Sequence, residues 1–166
     1  MISLKLLFIN DESIVQSILD DAPAYSRNID GIESDPHGGR DTLIVFPPDC
    51  TSQQKSVLLI EWEGQSIGVV DLIQDFAQIG TAFIGLFVLR EAQQGKGLGR
   101  EAFSALEDYA KKNLHAVKLR LAIVDSNPVQ SFWEKMGFVE TGEIHPHEGQ
   151  NIKSVKRLME KTLARA

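Results

Sequence analysis

Leu86-Phe87-Val88-Leu89-Arg90-Glu91-Ala92-Gln93-Gln94-Gly95-Lys96-Gly97-Leu98-Gly99-Arg100 is the stretch on which the fold turns. Its apolar start reads as a buried strand, and its end opens a helix. Leu98, Ala102, Phe103, Leu106, Tyr109 and Ala110 recur at helical spacing, which predicts a helix over residues 97–112. Between the two lies a turn carrying three glycines. Glycine has no Cβ, so backbone N–H groups there can come close to an anion. The first helical turn adds unpaired N–H donors and a partial positive charge. Together they predict a phosphate cradle, with Lys96 and Arg100 adding charge.

Two familiar phosphate-binding patterns fit less well. A Walker-type loop needs Ser or Thr after Gly-Lys to hold magnesium, but Gly97 follows Lys96. A dinucleotide-binding turn has the spacing G-x-G-x-x-G early in a βαβ unit, whereas this one is G-x-G-x-G and late in the chain. A bare strand-to-helix connection without a ligand is the other reading of the turn taken alone.

Working outward, residues 80–89 form the most apolar predicted strand. Residues 56–63 and 66–74 precede it, joined by a hairpin turn at Gly64-Gln65. Their connections are too short for crossover helices, so an antiparallel meander is expected. Residues 2–9 read as a first strand, followed by a helix capped by Asp11 or Ser13 and interrupted at Pro23. Residues 30–40 are rich in turn formers and read as a loop, and Pro47-Pro48-Asp49 marks another break. After the long helix come a strand over 117–124 and a second helix, with Asn127 as cap, Pro128 first and Gly137 at its end. Strands over 138–145 and 150–160 close the chain, the last of them also open to a helical reading. The fold class expected is α/β (α+β): one domain over residues 1–166, with a mixed, mostly antiparallel sheet of six to seven strands flanked by helices.

The 166 residues carry a net charge of -6, which argues against nucleic acid or an anionic membrane as partner. Cys50 is the single cysteine, which excludes an internal disulfide and a thiolate metal site. No apolar run approaches the ~20 residues of a membrane helix. Leu6 to Ile9 is followed at once by Asp11 and Glu12, a strand's pattern and not a signal peptide's. A cytoplasmic, reducing setting is the expectation.

Asn127-Pro128-Val129-Gln130-Ser131-Phe132-Trp133-Glu134-Lys135-Met136-Gly137-Phe138 is the second informative element. With Gln94-Gly95-Lys96-Gly97-Leu98-Gly99 it resembles the GNAT family, the Gcn5-related N-acetyltransferases. The glycine turn matches that family's Q/R-x-x-G-x-G/A signature, and the second element is similar to its N…FY-E-K-x-G-F stretch. The resemblance implies an acetyl-CoA-dependent N-acetyltransferase acting on a primary amine of a small molecule or a peptide, without a metal. It implies that the fourth and fifth strands splay, with pantetheine contacts at Leu86, Phe87 and Val88. The pyrophosphate would fall to Gln93, Gln94, Gly95, Lys96, Gly97, Leu98, Gly99 and Arg100, and the pantetheine arm also to Asn127 and Phe132. Pairing into a homodimer is common among such proteins.

The sequence departs from the family where Trp133 stands in place of a Tyr that often protonates the leaving thiolate. An indole N–H donates a hydrogen bond but is not a usable acid. Asp71 and Asp75 are the candidate general bases, followed by Glu61 and Glu63. Tyr25 falls in the region expected to line the acceptor site, whereas Tyr109 fits a helix core. His145, His147, His37, His115 and Cys50 read more readily as structural or surface residues. The basic tail of Lys153, Lys156, Arg157, Lys161 and Arg165 reads as a solvated face. A non-catalytic acyl-CoA-binding or sensing module is the alternative function, and a nucleotide-phosphate binder the third.

Overall fold

Period-two apolar runs build strands here, and the one long period-3.6 run builds the main helix. The computed structural model describes residues 1–164, so Arg165 lies outside the described residues. In chain order the elements are β1 (Ile2–Leu7), α1 (Glu12–Asp20), α2 (Pro23–Asp30), α3 (Gly38–Ile44), β2 (Lys55–Trp62), β3 (Gln65–Gln74) and β4 (Thr81–Leu89). They continue with α4 (Leu98–Asn113), β5 (Lys118–Val124), α5 (Gln130–Lys135), β6 (Val139–Glu148) and β7 (Lys153–Thr162).

The strands make one seven-stranded sheet in the order β1-β2-β3-β4-β5-β7-β6. Every neighbouring pair is antiparallel except β4 and β5, which run parallel because α4 carries the chain across between them. The expected meander of β2, β3 and β4 is present. Its first hairpin closes through Glu63 and Gly64, both left-handed at φ 50° and 78°, the turn whose twist suits a tight hairpin.

Two cores lie on the two faces of the sheet. On one face Phe103, Leu106 and Ala110 of α4 and Trp133 of α5 pack on Leu58, Val70, Leu72 and Ile84. On the other, Val15 and Ile18 of α1 pack with Ala22 on Val57, Leu59, Val69, Leu86 and Val88. Ile84 and Leu86 would share a face in a regular strand. They do not because the register of β4 on β3 shifts there: Asp71 pairs with Leu86, Leu72 pairs with Ile84, and Gly85 is left over as a bulge.

Two elements differ from the sequence expectation, and one open reading is settled. Residues 38–44, expected within or beside a loop, form α3. Gln16 of α1 holds it in place, accepting from the Gly39 N–H at 2.7 Å and donating to the Asp35 carbonyl at 2.9 Å. α5 begins at Gln130, so Asn127 does not cap it; Asn127 donates its N–H to the Val124 carbonyl at 2.8 Å in the turn after β5. The ambiguous last segment is a strand, because β5 and β6 offer it pairing on both sides.

Phe138 closes the larger core at 2% exposure, with ring centroids 5.7 Å from Phe103 and 5.3 Å from Trp133. Phe138→Ala is expected to cost about 3–5 kcal/mol in urea unfolding, as buried aromatic deletions do. A loss below about 1 kcal/mol would contradict this packing.

Candidate functional site

The parallel pairing of β4 and β5 lasts only four residues, from Thr81↔Lys118 to Ile84↔Leu121. β5 goes on pairing with β7 to Val124, and β4 goes on pairing with β3 to Leu89. From Gly85 onward β4 therefore has no strand on its β5 side, although it sits in the middle of a sheet. Backbone groups in such a position need partners, and an extended ligand can supply them.

A groove of about 810 Å³ follows this gap. Leu86, Phe87 and Val88 line it from β4, and Ala122, Ile123 and Val124 from β5. The bulge at Gly85 is what turns Phe87 toward α5, where it stacks on Phe132 with centroids 6.1 Å apart and meets Trp133 edge-on at 5.4 Å. Sequence reading missed this bulge. Its signal was a lone glycine inside an otherwise apolar strand.

The groove ends at the glycine turn. Gly95 and Gly97 are left-handed at φ 74° and 82°, and a Cβ on either would point into open space. Among the described residues no acceptor is recorded for the N–H groups of Gly95, Lys96 and Gly97. Gly97 leads into α4 with no side-chain cap, so the first N–H groups of that helix are also without side-chain acceptors. This fits a diphosphate: bare donors, room and a helix N-terminus together.

The remaining expected cofactor residues divide. Gln94, Gly99, Arg100, Asn127 and Phe132 line the groove. Gln94 also donates from Nε2 to the Leu89 carbonyl at 2.9 Å, tying the turn to β4. Gly99 is bare for a different reason than expected: a Cβ there would meet the Phe132 ring at 3.3 Å, so it seats that ring. Gln93, Lys96 and Leu98 do not line the groove. Leu98 is buried with Ile60, Ile67 and Leu89, and Lys96 is exposed. Arg90 anchors the start of the turn, donating to the Ser66 carbonyl at 2.8 Å and pairing with Asp21 of the segment after α1.

On the α1 side of the sheet a second cavity, of about 310 Å³, adjoins the groove; Tyr25, Gly85 and Leu86 line both. Asp71 stands in its wall. The carboxylate Oδ2 accepts from Lys55 Nζ at 2.8 Å, with side chains only 13% and 5% exposed. Oδ1 is shut off from solvent and has no hydrogen-bond partner. A Cβ on Gly85 would lie 2.9 Å from Oδ2, so the bulge residue is bare where the carboxylate comes closest to the groove. Burial pushes the Asp71 carboxyl above its ordinary value, and the attraction of Lys55 only partly offsets this. Burial, then the charges of Asp30 and Asp71, push the Tyr25 phenol up to about 12, so it stays protonated.

The other candidates are elsewhere. Asp75 is left-handed at φ 56° and accepts from the Gly80 N–H at 2.8 Å, holding the β3–β4 turn. Glu61 and Glu63 lie at the far end of β2, by its hairpin with β3. Tyr109 packs against the α4 core, as its spacing predicts. Lys55 was not anticipated, and nothing in its local sequence signals a buried cation.

The model of the "Acetyltransferase (GNAT) family" matches residues 16–138. Comparison with curated proteins by sequence gave no match. Among solved structures, the chain is similar to an acetyltransferase from Thermus thermophilus, with TM-score 0.77 and 20% identity over 98% of this chain and 97% of that one. It is also similar to spermidine N-acetyltransferase from Vibrio cholerae in complex with CoA and spermine, with TM-score 0.68 and 19% identity over 97% and 95%. A third is a GNAT family acetyltransferase from Elizabethkingia anophelis with acetyl-CoA bound, with TM-score 0.55 and 21% identity over 67% and 78%. At these identities the likeness establishes the fold.

The Lys55–Asp71 pair yields a stability test. Removing one partner leaves a buried charge alone, which typically costs about 3–5 kcal/mol. Lys55→Met and Asp71→Leu are each expected to destabilise, and the double variant to recover part of the sum, with a coupling of about 1 kcal/mol or more in urea unfolding. Strict additivity would show that the pair does not form. The folded state holds the Asp71 proton more tightly than the unfolded chain. Its contribution therefore turns unfavourable as pH rises from 3.8 through the raised folded value.

Proposed function

Because the chain belongs to the GNAT acetyltransferase family, we propose that it holds acetyl-CoA along the free edge of β4 and transfers the acetyl group to a primary amine of a small molecule or peptide. One observation carries the reading: the unpaired edge of β4 leads directly to the unpaired N–H groups of Gly95, Lys96 and Gly97. Leu86, Phe87 and Val88 bind the pantetheine arm, and the glycine turn with Arg100 binds the diphosphate. Asn127 and Phe132 flank the arm from the β5 side. Bound acetyl-CoA would supply the thioester carbonyl carbon, where a C–N bond forms and the C–S bond breaks, CoA leaving as the thiolate and taking its proton from water.

The chain's own groups do the rest. The amine enters from the second cavity, past Tyr25 and Gly85. Asp71, poorly solvated, takes in its ionised form the proton that the amine must lose. Lys55, bonded to its Oδ2 in the same cavity wall, keeps that carboxylate oriented. Tyr25, protonated at neutral pH, donates a hydrogen bond where the cavity meets the groove. Trp133 is buried at 6% exposure among Phe87, Phe103, Phe132 and Phe138, and it holds the aromatic wall without moving a proton. Much of the rate then comes from positioning.

Calorimetric titration with CoA tests the cradle. Gly97→Val forces a β-branched residue into a left-handed backbone and fills the space before the donors. Losing two charge-assisted N–H contacts should weaken CoA about 100-fold, with an unchanged circular dichroism spectrum. Undiminished affinity in that variant would remove the cofactor assignment. Binding without turnover of any amine would favour the acyl-CoA-sensing reading.

The base is tested with an arylamine acceptor that stays neutral across the pH range. Since Asp71 must be ionised to act, kcat/KM should fall as pH drops through its raised pKa. Asp71→Asn should lower kcat/KM by about 10²–10⁴-fold and abolish that limb. Lys55→Met, which takes away the one nearby cation, should move the limb to higher pH. A profile that is unchanged in both variants assigns the base elsewhere.

A further inference from the structure

Resting on the acetyltransferase reading, we propose that the acceptor is a small aliphatic amine carrying at least one further positive charge, held along the carboxylates of the second cavity. Asp20, Asp30, Asp35, Asp41 and Asp71 line this cavity, against a single cation, Lys55. Among the described residues, only Asp71 of these five is in an ion pair. Of the nearby arginines, Arg27 pairs with Glu33 and Arg90 with Asp21, and Arg40 of α3 does not line the cavity. The lining thus carries more carboxylates than cations beside the point where the acetyl group would arrive, although Asp20, Asp30 and Asp35 also accept hydrogen bonds from Gln16, Gln150 and the His37 N–H.

The geometry narrows the occupant. Among the described residues no three acidic, histidine or cysteine groups are placed to share a metal ion. The carboxylates come from α1, α2, α3, the turn before α3 and β3, which suits a cation with separated charges. Asp71 stands in the same wall, its Oδ2 bonded to Lys55 and its Oδ1 closed to solvent. An anionic acceptor is disfavoured, because Lys55 is already committed to Asp71. A volume of about 310 Å³ under three helices suits a small molecule more than a folded partner.

Three acceptors of one chain length and different far-end charge make the test: 1,4-diaminobutane, butylamine and 4-aminobutanoate. With acetyl-CoA and the full-length protein, kcat/KM is expected to be highest for the diamine and lowest for the amino acid. The diamine should exceed butylamine by about tenfold or more, the scale of one charge-assisted contact. Its KM should rise with salt. The double variant D20N/D41N, at two exposed carboxylates of the wall, should cut the diamine-to-butylamine ratio by about tenfold. Calorimetry on CoA-loaded protein should show diamine binding that weakens in the same variant. Equal or better use of butylamine or 4-aminobutanoate, or a ratio untouched in D20N/D41N, overturns the proposal. Acetylation of aniline without any of the diamine overturns it while leaving the acetyltransferase reading intact. No acetylation of any amine by CoA-bound protein sinks both.

Discussion

An interior strand with a free edge is the constraint from which the rest of this molecule follows. β4 and β5 part after Ile84 and Leu121, and each keeps its other neighbour. The sheet is thereby opened in its middle, where edge groups are normally fully paired. The opening is stable because both its walls are built from packed side chains. Leu86 and Val88 belong to the α1-side core, while Phe87 is fixed by Phe132 and Trp133 on the other face. Gly85 makes this division possible by shifting the strand's alternation by one residue.

The same bulge joins the two halves of the site. Asp71 pairs with Leu86, directly after the extra residue, and its carboxylate faces the α1-side cavity. A side chain on Gly85 would collide with it. The long groove and the acidic cavity therefore touch at Gly85, Leu86 and Tyr25. A cosubstrate on one side of the strand and an amine on the other would meet at this point. The Lys55–Asp71 pair is the electrostatic counterpart of that geometry: a buried carboxylate kept by one cation, yet still reluctant to ionise.

Much of the architecture was legible in the sequence. The meander, the glycine turn and α4 each rest on a strong local pattern, and residues 86–89 with Gly95 and Gly97 lie where that pattern puts them. What could not be read depends on distant partners. α3 forms because Gln16 bonds the backbone of residues 35 and 39, although its own seven residues carry little helical signal. β7 reads as a strand with a helical alternative, and pairing with two neighbours decides for the strand. Asp71 and Asp75 look alike along the chain, but one faces a cavity and the other closes a turn. Gly99 matched a signature for approach to an anion, and its neighbour is the ring of Phe132.

Amide hydrogen exchange, read residue by residue with and without CoA, tests the open edge most directly. Added protection is expected at residues 85–89 and 95–100, where β4 and the glycine turn offer unpaired donors, with the outer strands β1 and β6 unchanged. Protection that leaves both of those segments untouched while CoA is bound would contradict it.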